Sequence, residues 1–112
     1  MNYKIKSRIW IELDDNVLLG EGRVRLLKAI ESTGSLSKAA KNLNMSYKKA
    51  WTLIDAVNKT AKHPVVTTSI GGKNGGGAQL TTYGKTLITA FEDINNNCWD
   101  YLDKQIYKID SI

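Results

Sequence analysis

The sequence is short of the residues that build catalytic and metal sites. It has one cysteine, one histidine and one proline among 112 residues. A lone cysteine, Cys98, excludes an internal disulfide and fits a reducing cytosol. A lone histidine, His63, with no cysteine near it, argues against a metal site, and the chain has no G-x-S-x-G segment to present a nucleophilic serine. We therefore expect no enzyme activity, no cofactor and no metal ion.

Long apolar runs are also missing. No window reaches the roughly eighteen apolar residues of a membrane span, and the first residues lack the apolar core of a signal peptide. Residues 84–86, Gly-Lys-Thr, match the end of a phosphate-binding loop, but the glycine that should begin that motif would fall at Gln79. These absences predict a cytoplasmic protein that makes no membrane contact and hydrolyses no nucleotide.

Acidic residues are scarce where basic residues are dense. The formal net charge is +5, and residues 36–73 hold seven lysines against a single acid, Asp55. From residue 82 onwards there are five acids and three lysines. The middle of the chain therefore suits a polyanion, whereas the last third suits a contact with protein. At this length we expect a single domain, residues 1–112, with a core of its own.

Residues 34–55 predict two helices joined by a tight turn. We expect the first helix over residues 36–43 and the second over residues 47–58, with Ser35 and Ser46 at their N-cap positions. Asn44 suits the left-handed turn between them. The apolar and small positions between the helices are Leu36, Ala39, Ala40, Leu43, Met45, Ala50 and Leu53. This pattern is typical of a helix-turn-helix, whose second helix can enter the DNA major groove.

The second of these helices begins with two lysines, Lys48 and Lys49. Exposed cations are disfavoured at a helix N-terminus by about 0.3–1 kcal/mol each, so stability alone does not favour them there. An anion that docks on the free N–H groups would explain them. The alternative is a solvated helix end with incidental lysines; the neighbouring features favour contact with nucleic acid.

The chain before these two helices predicts a hairpin and a supporting helix. Residues 3–13 alternate, with isoleucine and leucine on one face, and indicate a half-buried strand. A turn at residues 14–16 leads to a short second strand at residues 17–19. Trp10 lies on the polar face, either as a surface aromatic or as a contact with a second subunit. A helix over residues 23–33 then ends at Gly34.

After the helix pair, the sequence predicts a second hairpin. His63-Pro64 favours extended backbone, residues 65–70 are rich in β-formers, and GGKNGGG at residues 71–77 precedes a short run at residues 78–81. A hairpin directly after a recognition helix is a wing. Its glycines let the backbone approach a phosphate, and Lys73 and Asn74 supply donors. The alternative is a floppy surface loop.

The last part of the chain predicts one long helix, residues 82–109, capped by Thr81 or Thr82. Its apolar residues recur three or four apart, and so small a domain cannot cover them all. We expect a two-fold dimer built on this helix, with the first strand as a candidate for the same interface. The expected interface residues are Phe91, Ile94, Cys98, Leu102 and Ile106. The alternative is a helix that folds back on its own N-terminal hairpin.

Two segments together resemble a known family. GSLSKAAKNLNMSYKKAWTLIDAVN and GGKNGGGAQLTTYGKTLI are similar to the N-terminal DNA-binding domain of ModE-type molybdate-responsive transcriptional regulators, bacterial proteins with a winged helix-turn-helix related to the LysR type. The resemblance covers roughly residues 11–91. It implies a homodimer on a palindromic operator, with the last helix and first strand at the interface. It also implies DNA contacts from Ser46, Tyr47, Lys48 and Lys49 and from the wing around Lys73.

Full-length members of that family sense molybdate through a further C-terminal region, and this sequence stops at Ile112. We therefore expect a stand-alone form without the molybdate-binding region, and no small-molecule effector is identifiable.

The expected fold is mainly α with a small β content: a hairpin at residues 1–20, a three-helix core at 23–61, a wing at 65–81 and a dimerisation helix at 82–109. The expected partner is double-stranded DNA. The expected DNA-binding residues are Ser35, Ser37, Lys38, Ser46, Tyr47, Lys48, Lys49, Thr52, Lys73 and Asn74. Lys48 would contact a base edge or a phosphate, and Asp55 could also face bases, whereas Trp51 is expected to pack. The alternative function is a winged-helix protein-interaction module without DNA readout.

Overall fold

A computed structural model describes residues 2–69 and 77–112 and shows a mainly helical chain. The elements in order are β1 (Trp10–Leu13), β2 (Asn16–Gly20), α1 (Glu21–Thr33), α2 (Leu36–Asn42), α3 (Tyr47–Thr60), β3 (Val66–Thr68), β4 (Ala78–Leu80), α4 (Thr82–Lys104) and α5 (Tyr107–Asp110). The strands form two antiparallel pairs, β1–β2 and β3–β4. Within the described residues, none of the helices has the length and apolarity that a membrane span requires.

The first hairpin is shorter than the sequence predicted. The expected strand over residues 3–13 is wrong, because only Trp10–Leu13 pairs with β2 and residues 2–9 lie outside the sheet. β2 has five residues, so it offers no partner to the earlier part of the segment. Asp14 and Asp15 both take positive φ, 51° and 66°. A two-residue loop of that kind matches the right-handed twist of the strands it joins.

Helix α1 supplies the centre of the core. Leu26, Leu27 and Ile30 are fully buried. Gly34 ends the helix with φ 68°, and its N–H donates to the Ile30 carbonyl at 2.8 Å, which confirms the predicted stop. Glycine adopts this left-handed conformation without the steric cost that a Cβ would bring.

Helices α2 and α3 begin and turn where the sequence predicted. The Ser35 hydroxyl accepts the Lys38 N–H at 3.1 Å, and the Ser46 hydroxyl accepts the Lys49 N–H at 3.0 Å. Asn44, in the turn between the helices, has φ 54°. Close packing of the two helices depends on small side chains that are almost completely buried: Ala39, Ala40 and Ala50.

The long final helix is interrupted, so the predicted continuous helix over residues 82–109 is wrong. α4 ends at Lys104, where the N–H of Gln105 bonds to the Leu102 carbonyl three residues back, at 3.0 Å. Such i→i−3 bonds tighten the last turn and end the α-helical ladder. The N-terminal cap is confirmed, because the Thr81 hydroxyl accepts the Gly84 N–H at 2.9 Å.

Candidate nucleic-acid interface

The first turn of α3 presents lysines beside free backbone donors. The Ser46 cap occupies the Lys49 N–H, and the first helical bond is donated by Ala50 to the Ser46 carbonyl at 3.0 Å. Within residues 2–69 and 77–112, the N–H groups of Tyr47 and Lys48 have no backbone or side-chain acceptor. Tyr47, Lys48 and Lys49 are all exposed. The start of α3 thus combines free N–H donors, the positive end of the helix dipole and two ammonium groups.

The exposed side of α3, which we call the α3 outer face, comprises Tyr47, Lys48, Trp51, Thr52 and Asp55. It lies away from the buried stripe of the same helix, formed by Ala50, Ile54 and Val57. Trp51, which we expected to pack, has 51% of its surface exposed on this face. At 3.6 residues per turn, position 51 falls beside rather than within the buried stripe.

The charge around this face is positive and largely uncompensated. Residues 32–54 contain four lysines, Lys38, Lys41, Lys48 and Lys49, and no acid. In the part of the chain that the structure describes, no carboxylate lies within 4.0 Å of any of the four ammonium groups. Asp55 is the one acid of the α3 outer face, and its carboxylate pairs with Lys59 at 2.8 Å. The repulsion that Asp55 would exert on a phosphate is thereby reduced.

Thr52 lies one helical turn after Lys48. Its hydroxyl donates to the Lys48 carbonyl at 2.9 Å. The hydroxyl proton is therefore engaged within the helix, and the oxygen retains only acceptor capacity towards an outside partner. Donors towards a ligand on this face come instead from the lysines, Tyr47 and the Trp51 indole N–H.

The hairpin β3–β4 follows α3. Thr67 pairs with Gln79 and Thr68 with Ala78. Beyond the strands, the Ser69 N–H donates to the Gly77 carbonyl at 2.9 Å, and the Gly77 N–H donates to the Ser69 hydroxyl at 3.0 Å. The pairing therefore continues past the strands to residues 69 and 77, at the loop end of the hairpin. Two predicted DNA contacts, Lys73 and Asn74, lie outside the described residues.

Asn58 fastens the hairpin to α3, a role that the sequence prediction missed. Its side-chain oxygen accepts the N–H groups of Val65 at 2.8 Å and Val66 at 3.1 Å, and its amide donates to the Val66 carbonyl at 3.0 Å. On the other strand, the Ala78 N–H donates to the Gly34 carbonyl at 3.0 Å. The hairpin is thus held to both α3 and the end of α1. An asparagine inside a helix, where its propensity is low, was the only available signal.

The predicted contacts at the start of α2 follow directly after Gly34, which bonds to the loop end of the hairpin. Ser35 follows Gly34, whose carbonyl is bonded to β4, and the Ser35 hydroxyl is engaged as the helix cap. Ser37 and Lys38 are exposed. Ser35 therefore lies next to the residue that bonds to the loop end of the hairpin. The predicted contacts Ser46, Tyr47, Lys48, Lys49 and Thr52 lie at the start of α3.

The predicted interface stripe on α4 divides into a buried and an exposed part. Phe91 is only 4% exposed and belongs to the core of this chain, which corrects its assignment to an interface. Ile94 is 51% exposed. Cys98 is partly covered by the N-terminal segment, where its sulfur lies 3.5 Å from the Ser7 hydroxyl. Leu102 is half-buried, and Ile106 lies in the turn after α4. Large exposed side chains continue the stripe: Trp99, Tyr101, Tyr107 and Ile109.

Comparison with known proteins gives relatives over most of the chain. No protein-family model matches it. It is 36% identical over 106 residues, 95% of its length, to the "Molybdenum transport protein ModE" of Azotobacter vinelandii. It is 44% identical to the "Transcriptional regulator ModE" of Haemophilus influenzae and 40% identical to the "DNA-binding transcriptional dual regulator ModE" of Escherichia coli, each over 82 residues, 73% of its length.

The chain spans only part of these relatives. It covers 39% of the Azotobacter protein, 32% of the Haemophilus protein and 31% of the Escherichia protein. Two of the three names describe transcriptional regulators and none describes an enzyme. The chain is therefore similar to about a third of the length of ModE proteins.

Proposed function

We propose that this chain is a winged helix-turn-helix that binds double-stranded DNA as a sequence-specific transcriptional regulator. The observation that carries the proposal is the first turn of α3, where Lys48 and Lys49 stand beside unbonded N–H groups with no carboxylate within 4.0 Å in the described part of the chain. A helix that served only the fold would gain nothing from this arrangement, whereas a phosphate would satisfy both the charges and the donors.

In this proposal α3 enters the major groove and the β3–β4 hairpin acts as the wing. The α3 outer face carries the groups that can reach base edges, and Lys38 and Lys49 hold the phosphate backbone. The three hydrogen bonds of Asn58 fix the wing relative to α3, so that the two can engage one duplex together. Lys73 and Asn74 remain predicted backbone or minor-groove contacts.

The regulator acts as a homodimer on a palindromic site. The exposed stripe that begins at Ile94 on α4 and continues to Tyr107 at the start of α5 is the proposed contact between the two copies, because it is apolar and the described part of the chain leaves it largely uncovered. A two-fold axis through this helix would present two copies of α3 to successive turns of the groove. The names of the Haemophilus and Escherichia relatives support transcriptional regulation, and the Escherichia name supports DNA binding.

Replacing Lys48 with alanine tests its contact with DNA. If Lys48 reads a base, the change should weaken binding to a preferred duplex by about 1–3 kcal/mol and leave binding to random duplex much less affected. The preferred duplex is obtained by repeated selection from a random pool with the unchanged protein. Affinities of both proteins for both duplexes are then measured by fluorescence anisotropy at one salt concentration.

Lys28→Ala is the matched control for this test. Lys28 lies on α1 and pairs with Glu92 at 2.7 Å, so its loss removes the same charge away from α3. The pair is exposed, and its loss should cost at most about 1 kcal/mol of stability. An equal loss for Lys48→Ala on selected and random duplex would reassign Lys48 to phosphate. An unchanged affinity on both would contradict its contact with DNA.

The same α4 stripe favours a second function, a module that binds another protein and leaves the basic face unused. Its apolar residues would suit a foreign partner as well as a second copy. Failure to enrich any duplex from the random pool, together with a monomeric chain, would favour this alternative.

A further inference from the structure

Trp51 is an indole exposed on an otherwise cationic face. About half of its surface is open to solvent, and Tyr47, one turn earlier, is 57% exposed. One side of α3 carries a row of four residues: Tyr47, Trp51, Asp55 and Asn58. They share this side because residues three or four positions apart lie on the same face of a helix. Asn58 bonds to the first strand of the hairpin. This row therefore runs from the two aromatic residues in the first half of α3 to the base of the hairpin.

The chemistry beside Trp51 restricts what it can bind. Lys48 and Thr52 are its neighbours on the α3 outer face, and the Asp55 carboxylate is held by Lys59. A ligand for this place must offer negative charge and an apolar group close together. The DNA major groove does so, because phosphates line it and thymine presents a methyl group at its edge, the one apolar group among the four bases there.

We infer that Trp51 is a specificity-determining residue that recognises thymine through contact of its indole ring with the C5-methyl group. The inference rests on the proposed function, since it requires α3 to lie in the major groove. The Thr52 hydroxyl proton is engaged by the Lys48 carbonyl, so this part of the face reads the groove by shape and apolar contact rather than by a hydroxyl donor. The sites that the protein prefers should therefore contain thymine opposite the middle of α3.

Removal of the methyl groups tests this contact. The selected duplex is synthesised twice, once with thymine and once with deoxyuridine at every thymine position, which keeps all hydrogen-bonding groups. The unchanged protein should bind the uracil duplex about fourfold more weakly for each contacted methyl group. Trp51→Ala should bind the thymine duplex more weakly than the unchanged protein does. It should also discriminate less than about twofold between the two duplexes, because the indole ring that contacts the methyl group is gone.

Two further variants make the result specific to Trp51. Trp10→Ala removes another exposed indole, on β1, and should retain the full preference for thymine. Trp51→Phe keeps an aromatic ring and should retain part of the preference for thymine. Thermal unfolding of Trp51→Ala should match that of the unchanged protein, because the side chain is outside the core.

The outcomes separate this inference from the proposed function. Equal affinity of the unchanged protein for both duplexes, or an equal thymine preference in Trp51→Ala, would overturn the role of Trp51 while DNA binding stands. Failure of the unchanged protein to select any duplex would overturn the proposed function and this inference with it.

Discussion

Replacing Gly84 with alanine is expected to lower the free energy of unfolding by about 2 kcal/mol, as overpacking of a close contact does. Gly84 lies in the first turn of α4 and is buried. A Cβ at this position would overlap the Val65 carbonyl oxygen and lie 3.0 Å from its Cγ1. Val65 is itself fully buried, so the backbone on one side must move. The gain in helix propensity, at most about 1 kcal/mol, does not offset this cost.

Gly22→Ala is the matched control. Gly22 lies in the first turn of α1, and a Cβ there would meet nothing within 4 Å. Its replacement should leave stability unchanged or raise it by about 0.4–1 kcal/mol. Urea unfolding of the three proteins measures both effects. Equal midpoints for Gly84→Ala and Gly22→Ala would show that α4 does not pack against the Val65 backbone as described.

Ile94→Lys is expected to convert the protein from dimer to monomer. Ile94 is half exposed in the single chain, so a lysine there leaves the core intact. In the proposed dimer the position is buried, and an ammonium group at an apolar interface without a partner loses its hydration. Sedimentation velocity over a range of protein concentrations measures the change, and thermal unfolding of the separated monomer checks that the fold persists.

Asn96→Lys is the control for this change, because it adds the same charge to α4 two residues later, on the other side of the helix. Asn96 is exposed and lines a groove against α1 with Lys28 and Glu92. The Asn96→Lys protein should remain a dimer. A monomeric unchanged protein, or an Ile94→Lys protein that stays dimeric, would show that α4 does not join the two copies.

Local signals allowed the centre of the fold to be predicted. Ser35 and Ser46 cap the helices they precede, and Gly34 and Asn44 take the left-handed conformation their residue types favour. Each of these features is determined within about four residues of sequence, since caps and turns are satisfied by the adjacent backbone. That is why the helix boundaries of α2 and α3 agree closely with the structure.

The features that were missed depend on distant partners. The alternation of residues 3–13 does not reveal that β2 is too short to pair with all of them. The side chain of Trp51 is apolar, but its exposure depends on which side of α3 packs on the core. Asn58 gains its role only when residues 65 and 66 return beside α3. Sequence periodicity describes one helix or strand at a time and does not show which distant residues that element will contact.

The salt dependence of binding to a random duplex tests the central claim, that the start of α3 contacts the DNA backbone. We expect log K to fall steeply with log salt, by about 0.9 for each phosphate neutralised. The variant Lys49→Ala should have a slope shallower by about 1, because this lysine is the proposed phosphate contact at the start of α3. A slope near zero for the unchanged protein, or the same slope in Lys49→Ala, would contradict the claim.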